Sequence, residues 1–163
     1  MDEPQVTFEA RQGIPWGGYA TYLPHEYSVS FVTEHPFERG QFDSALALDT
    51  LTLLVRRSDG RVALPEGYFP RQSWSEAALE TPVAESGALY WDDTSILMRG
   101  GAVDAAGAIG TKLFDPVTQW LRIETPQPRR GKHSSRSVEF CTGVIAQLQD
   151  SELTALWIQL REI

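Results

Sequence analysis

The chain has 163 residues, 42 % of them hydrophobic and 22 % charged, with a formal net charge of −8. That balance excludes wholesale disorder. No apolar run approaches the roughly 18 residues a membrane-spanning helix needs, and the acidity argues against nucleic acid or anionic membrane as a direct partner.

The charge is uneven. Residues 1–50 carry eight acids against two arginines, a net charge of −6, whereas residues 101–163 balance seven against seven. Cys141 is the single cysteine, so there is no intrachain disulfide, and a reducing compartment is expected. The opening MDEPQ lacks the basic and apolar regions of a signal peptide, which agrees with a cytoplasmic protein. The three histidines, His25, His35 and His133, have no zinc-ligand spacing, and no cofactor motif is present.

In chain order, Val6 to Ala10 alternates as a first strand, and Gly13 to Gly18 is loop, punctuated by glycine and proline. Tyr19 to Leu23 is a second strand. Tyr27 to Thr33 gives the cleanest alternation, with Tyr27, Val29 and Phe31 on one face and Ser28, Ser30 and Val32 on the other. Ala45 to Leu64 is the organising stretch. Its apolar runs flank Ser58-Asp59-Gly60 and predict a β-hairpin, because glycine and aspartate both suit a tight turn. A helix capped by Asp43 competes, and under either reading Leu46, Leu48, Leu51, Leu53 and Val55 are core.

Ser73-Trp74-Ser75-Glu76 fits a capping box and predicts a short helix ended by Pro82. Ala88 to Trp91 and Ser95 to Met98 predict a second hairpin around Asp92-Asp93-Thr94. Arg99 to Gly110 reads as a loop, and strands are expected at Lys112 to Phe114 and Val117 to Thr125. Residues 126–137 are the most polar segment and predict a long mobile loop. Val138 to Leu148 fits helix and strand equally. Leu153, Leu156, Trp157 and Leu160 fall at helical spacing behind Asp150 or Ser151, which predicts a C-terminal amphipathic helix. The expected fold is one α+β domain over residues 1–163: a mainly antiparallel sheet of hairpins, a short middle helix and the C-terminal helix.

Trp16, Tyr19 and Tyr22, with the acids Glu26, Glu34, Glu38 and Asp43, could form an acidic, aromatic face for a basic protein. The competing reading is core packing beneath a solvated acidic surface. Arg129, Arg130, Lys132 and Arg136 could bind an anion, or simply be solvated, and the P-loop spacing is absent. Arg56, Arg57 and Arg61 pose the same choice at the hairpin tip. Cys141 reads as a buried, inert thiol rather than a nucleophile paired with His133. Asp92 and Asp93, near Glu85, read as a turn rather than a cation site or an acid–base pair.

No catalytic or cofactor signature emerges. The expectation is a cytoplasmic protein-interaction module, an inhibitor or immunity-type protein that masks a basic partner. The alternative is a small β-rich domain that binds or turns over an anionic small molecule, its pocket lined by Trp16, Tyr19, Tyr22 or Trp91.

Overall fold

The structure, a computed structural model, describes residues 7–34, 44–92, 101–104, 110–125 and 135–161. They form β1 (Phe8–Arg11), β2 (Gly18–Leu23), β3 (Ser28–Thr33), β4 (Ser44–Leu48) and β5 (Leu51–Val55). There follow β6 (Val62–Tyr68), β7 (Ser75–Glu76), β8 (Glu85–Ser86), β9 (Ala88–Trp91) and β10 (Gly101–Asp104). The last five are β11 (Lys112–Phe114), β12 (Trp120–Glu124), β13 (Ser135–Cys141), β14 (Val144–Gln149) and β15 (Glu152–Arg161). Thirteen of them join one sheet that curls into a half-barrel, while β1 and β9 pair with each other. The protein is therefore nearly all β and not α+β: the helical structure among the described residues is one 3-10 turn, Arg71–Ser73. No helix among them is long and apolar enough to cross a membrane.

The expected hairpin is present, and the competing helix is not. Strands β5 and β6 pair antiparallel around residues 56–61. Asp59 organises that turn: its carboxylate accepts two bonds from the Arg56 guanidinium, at 2.9 and 2.7 Å, and one from the Arg61 N–H at 3.1 Å. The hydrogen bonds from Arg56 hold the Asp59 carboxyl below its ordinary range, against an opposing contribution from burial. A second turn divides the same stretch. Leu48 pairs with Leu51, so Asp49 and Thr50 alone connect β4 to β5, with Asp49 at a φ of 58°. Aspartate visits this left-handed region more easily than most residues. Leu46, Leu48, Leu51, Leu53 and Val55 are all fully buried, as the apolar pattern indicates.

Both predicted helices are overturned. The C-terminal segment is β15, which pairs antiparallel with β12 and β14 and parallel with β2. Its helical spacing has a β origin. The β14–β15 register shifts between Gln147 and Leu148, so that Thr154 is an extra, bulged residue. Leu153, Leu156, Ile158 and Leu160 thereby all reach the main core. Trp157 faces the other side, where it packs with Ile145, Ala155 and Trp120. Asp150-Ser151 is not a helix cap but a two-residue hairpin turn, Asp150 having a φ of 55°.

The capping box fails because its tryptophan has a better place. Trp74 packs against Tyr22, Phe69 and Phe114, at ring-centroid distances of 5.1, 5.9 and 5.4 Å. Ser75 and Glu76 pair with Leu113 and Phe114, and the chain continues without regular structure to Ala84. Leu79 and Ala84 then cover the Trp157 side of the sheet. An isolated helix of this length is marginal in water, so packing and the ladder decide.

Elsewhere, the ambiguous 138–148 segment is the β13–β14 hairpin, turning at Thr142-Gly143 with Gly143 at a φ of 73°. The expected loop at 126–137 ends earlier, because residues 135–137 already belong to β13; residues 126–134 lie outside the described residues. Gly101–Asp104, expected as loop, is a strand parallel to β4. Strand β9 pairs with β1, and the expected second arm at Ser95 to Met98 lies outside the described residues.

Candidate functional site: the outer face of β2, β3 and β6

Alternation along the β2–β3 ladder sorts its side chains. Val29 and Phe31 are buried, which sends Ser28, Ser30 and Val32 outward. Register places Tyr19 beside Val32, Thr21 beside Ser30 and Leu23 beside Ser28, and Ser28 in turn pairs with Tyr68 of β6. Arg161 of β15 pairs with Thr21 and brings a charged side chain to the edge of these rungs. Val32 is 42 % exposed and Tyr68 53 % exposed.

Tyr27 closes the β2–β3 turn and adds to this face. Its φ of 51° is left-handed, a conformation that costs a bulky residue about 1–2 kcal/mol. Its carbonyl accepts the Phe69 N–H at 2.7 Å, which pins the turn to the end of β6. Its ring, 44 % exposed, meets Tyr68 edge-on at 6.4 Å.

Three of the seven expected partner-binding residues share this surface. Tyr19 stands on it, with the Arg161 guanidinium 4.3 Å above its ring. Glu26, in the β2–β3 turn, and Glu34, just past β3, bracket it at opposite ends of that strand. The Glu26 carboxylate accepts the Ser28 hydroxyl at 3.5 Å, and the Glu34 N–H bonds the Gly17 carbonyl at 3.0 Å. Trp16 and Tyr22 turn toward the core instead. The Trp16 indole donates to the Val62 carbonyl at 3.1 Å beneath Arg61, and the Tyr22 ring packs on Trp74. Glu38 and Asp43 lie outside the described residues.

Of the expected anion-binding set, Arg136 alone is among the described residues. Arg129, Arg130, Lys132 and also His133 lie outside the described residues. Arg136 joins β13 to its neighbours, donating to Glu85 at 3.1 Å and to the Ala10 carbonyl at 3.2 Å. Cys141 is buried, its thiol donating to the Ala63 carbonyl at 3.4 Å, and burial pushes its pKa well up, which disfavours the thiolate. Trp91 is 2 % exposed and belongs to the core rather than a pocket.

Sequence reasoning missed Tyr68, whose place depends on pairing with a residue forty positions away. It placed the break at Asp115-Pro116 but began the next strand at Val117, whereas the turn runs over 115–119, bordering the face beyond Arg161, and β12 starts at Trp120. There a cleft of about 410 Å³ is lined by Tyr19, Thr118, Gln119, Gln159 and Arg161, among others. Asp115 builds that turn. It is buried, and its carboxylate accepts the N–H groups of Leu79 at 3.0 Å, Val117 at 2.9 Å and Thr118 at 3.3 Å. These bonds, the one from Leu79 first, hold the Asp115 carboxyl below its ordinary range. A lowered folded pKa means the stabilisation is complete above the unfolded value of about 3.9 and is lost as pH falls through the lower folded value. Asp115→Asn is therefore expected to lower the melting temperature at pH 7 and to reduce the loss of stability between pH 5 and 3, as read by thermal unfolding across that range.

The chain matches no protein-family model, and no curated protein matches it in sequence.

Proposed function

We propose that this protein is an interaction module, an inhibitor or immunity-type protein that masks a basic partner, and that it docks through the outer face of β2, β3 and β6. The observation that carries the reading is Tyr27. A bulky aromatic is held in a costly backbone conformation and left 44 % exposed against a second exposed tyrosine. Burial within the chain does not repay that cost, whereas tyrosine at the centre of an interface characteristically carries binding energy. The rungs of tyrosine, serine, threonine and valine around it, with Arg161 at their β15 edge and Glu26 and Glu34 beyond their ends, match an interface core inside a charged rim. Glu26 and Glu34, beside this face, would steer a basic partner to it. A reducing, cytoplasmic setting goes with this reading, since the lone thiol needs no partner.

The charge argument is tested by reversing Glu26, Glu34, Glu38 and Asp43 to lysine. Against the partner isolated by affinity capture from host lysate at low salt, titration calorimetry of the variant is expected to give an affinity at least tenfold lower. The dependence on salt should also be shallower. Unchanged affinity together with unchanged salt dependence sinks the reading.

A further inference from the structure

Several basic side chains among the described residues have a carboxylate within 3.5 Å. Arg11 pairs with Glu9, Arg56 with Asp59, Lys112 with Asp49, Arg122 with Glu124 and Arg136 with Glu85. Arg71 and Arg161 have no carboxylate partner among the described residues, in a chain whose net charge is −8. Each rests on aromatic rings instead. The Arg71 guanidinium lies 4.9 Å from the Phe114 centroid and 5.9 Å from those of Tyr22 and Trp74, while Arg161 lies 4.3 Å from Tyr19. A stacked guanidinium is held in place through its face, which leaves the N–H groups around its edge free to donate.

Both arginines line one cleft of about 260 Å³, with Tyr22, Leu23, Pro24 and Gln119. The fold explains the opening. Among the described residues the last β15–β2 rung is Arg161–Thr21, whereas β2 runs on to Leu23. The 3-10 turn that starts at Arg71 and the 115–119 turn, which carries Gln119, flank the gap. The Tyr22 hydroxyl accepts the Arg71 backbone N–H at 2.9 Å, so its own proton remains available to a ligand. Gln119 sits at a left-handed φ of 67° beside the cleft.

We infer that this cleft binds a small organic anion, its phosphate or carboxylate held by Arg71 and Arg161. The larger cleft shares Gln119, Leu160 and Arg161 with it and adds Thr118, Thr142, Gln159 and Glu139, whose carboxylate accepts the Gly143 N–H at 3.2 Å. Hydroxyls and amides with a single hydrogen-bond-accepting carboxylate suit a hydroxyl-bearing body, with the anionic end of the ligand kept at the two arginines. The ligand class is therefore a phosphorylated or carboxylated polyol. Arg136 does not line this cleft, and the inference does not depend on the docking reading.

The probes are glycerol 3-phosphate, gluconate and neutral glycerol, each at 10 mM in buffer of matched ionic strength, read by thermal shift. At least one anion is expected to raise the melting temperature, and glycerol is not. The stronger of the two anions identifies the head group. Arg71→Gln and Arg161→Gln are each expected to weaken that anion at least tenfold, while Arg122→Gln, which removes a paired arginine, leaves it unchanged. Arg71→Lys keeps the charge but not the fork, and it should fold and bind with intermediate affinity even if the glutamine variant does not fold. No stabilisation by either anion overturns the inference, as does stabilisation that survives both glutamine substitutions. Arg71 lies off the rungs of the docking face, so loss of anion binding in its variants with partner affinity intact separates this site from that one.

Discussion

Leu156→Ala is expected to lower the free energy of unfolding by about 3 kcal/mol, within the range found for leucine truncation in a packed core. Leu156 is fully buried and sits at the centre of β15, between Ile123 of β12 and Ala146 of β14. β15 is the strand through which β2, β12 and β14 are joined, so the space left by the lost side chain opens where these strands meet. Chemical denaturation measures the effect. Gln159→Ala on the same strand removes only a weak bond to the Thr118 carbonyl at 3.4 Å and is expected to cost under about 1 kcal/mol. Were both changes equally mild, β15 could not be the shared strand described here.

The second large effect concerns binding. Tyr27→Asn combined with Tyr68→Ala is expected to weaken the partner at least a hundredfold, the sum of two residues that each behave as an interface anchor. Stability should move little. Both rings are about half exposed, and asparagine accepts the left-handed backbone at residue 27 more easily than tyrosine does. Denaturation and calorimetry on the same variant make the comparison. A destabilised variant that still binds would mean that the tyrosine pair serves folding and not docking.

Most of the strands could be read from local pattern, because alternation and turn chemistry are local properties. The β2–β3 hairpin is the clearest case: Ser28, Ser30 and Val32 fall on the outer side as their spacing indicates. The Asp59-Gly60 turn is another, since its aspartate and glycine do what their chemistry favours. The two helices failed for reasons outside the local pattern. At residues 153–160, a bulge at Thr154 and burial on both faces of β15 imitate a helical stripe. At residues 73–76, Trp74 is claimed by an aromatic cluster whose other members lie in β2, β11 and the end of β6. Asp49-Thr50 and Asp150-Ser151 make the same point. An aspartate followed by a hydroxyl residue serves as a helix cap or as a hairpin turn, and only the partner strand distinguishes them.

The site was legible in part for the same reason. Tyr19, Glu26 and Glu34 stand on or beside one surface because all three belong to a single hairpin. Trp16 and Tyr22 drew attention through composition, but strand parity and core contacts turn them inward. Tyr68, Arg71 and Arg161 come to their places through pairings of distant segments, which no short-range pattern encodes.

The most direct test of docking through the outer face is hydroxyl-radical footprinting, read by mass spectrometry, of the free protein and of its complex with the captured partner. In the free protein Tyr27, Tyr68, Val83 and Val117 should all be modified, since each is substantially exposed. The account predicts that the complex protects Tyr27 and Tyr68 while leaving Val83 and Val117 as reactive as before. Tyrosines that stay fully reactive in the complex, with protection elsewhere, would contradict it.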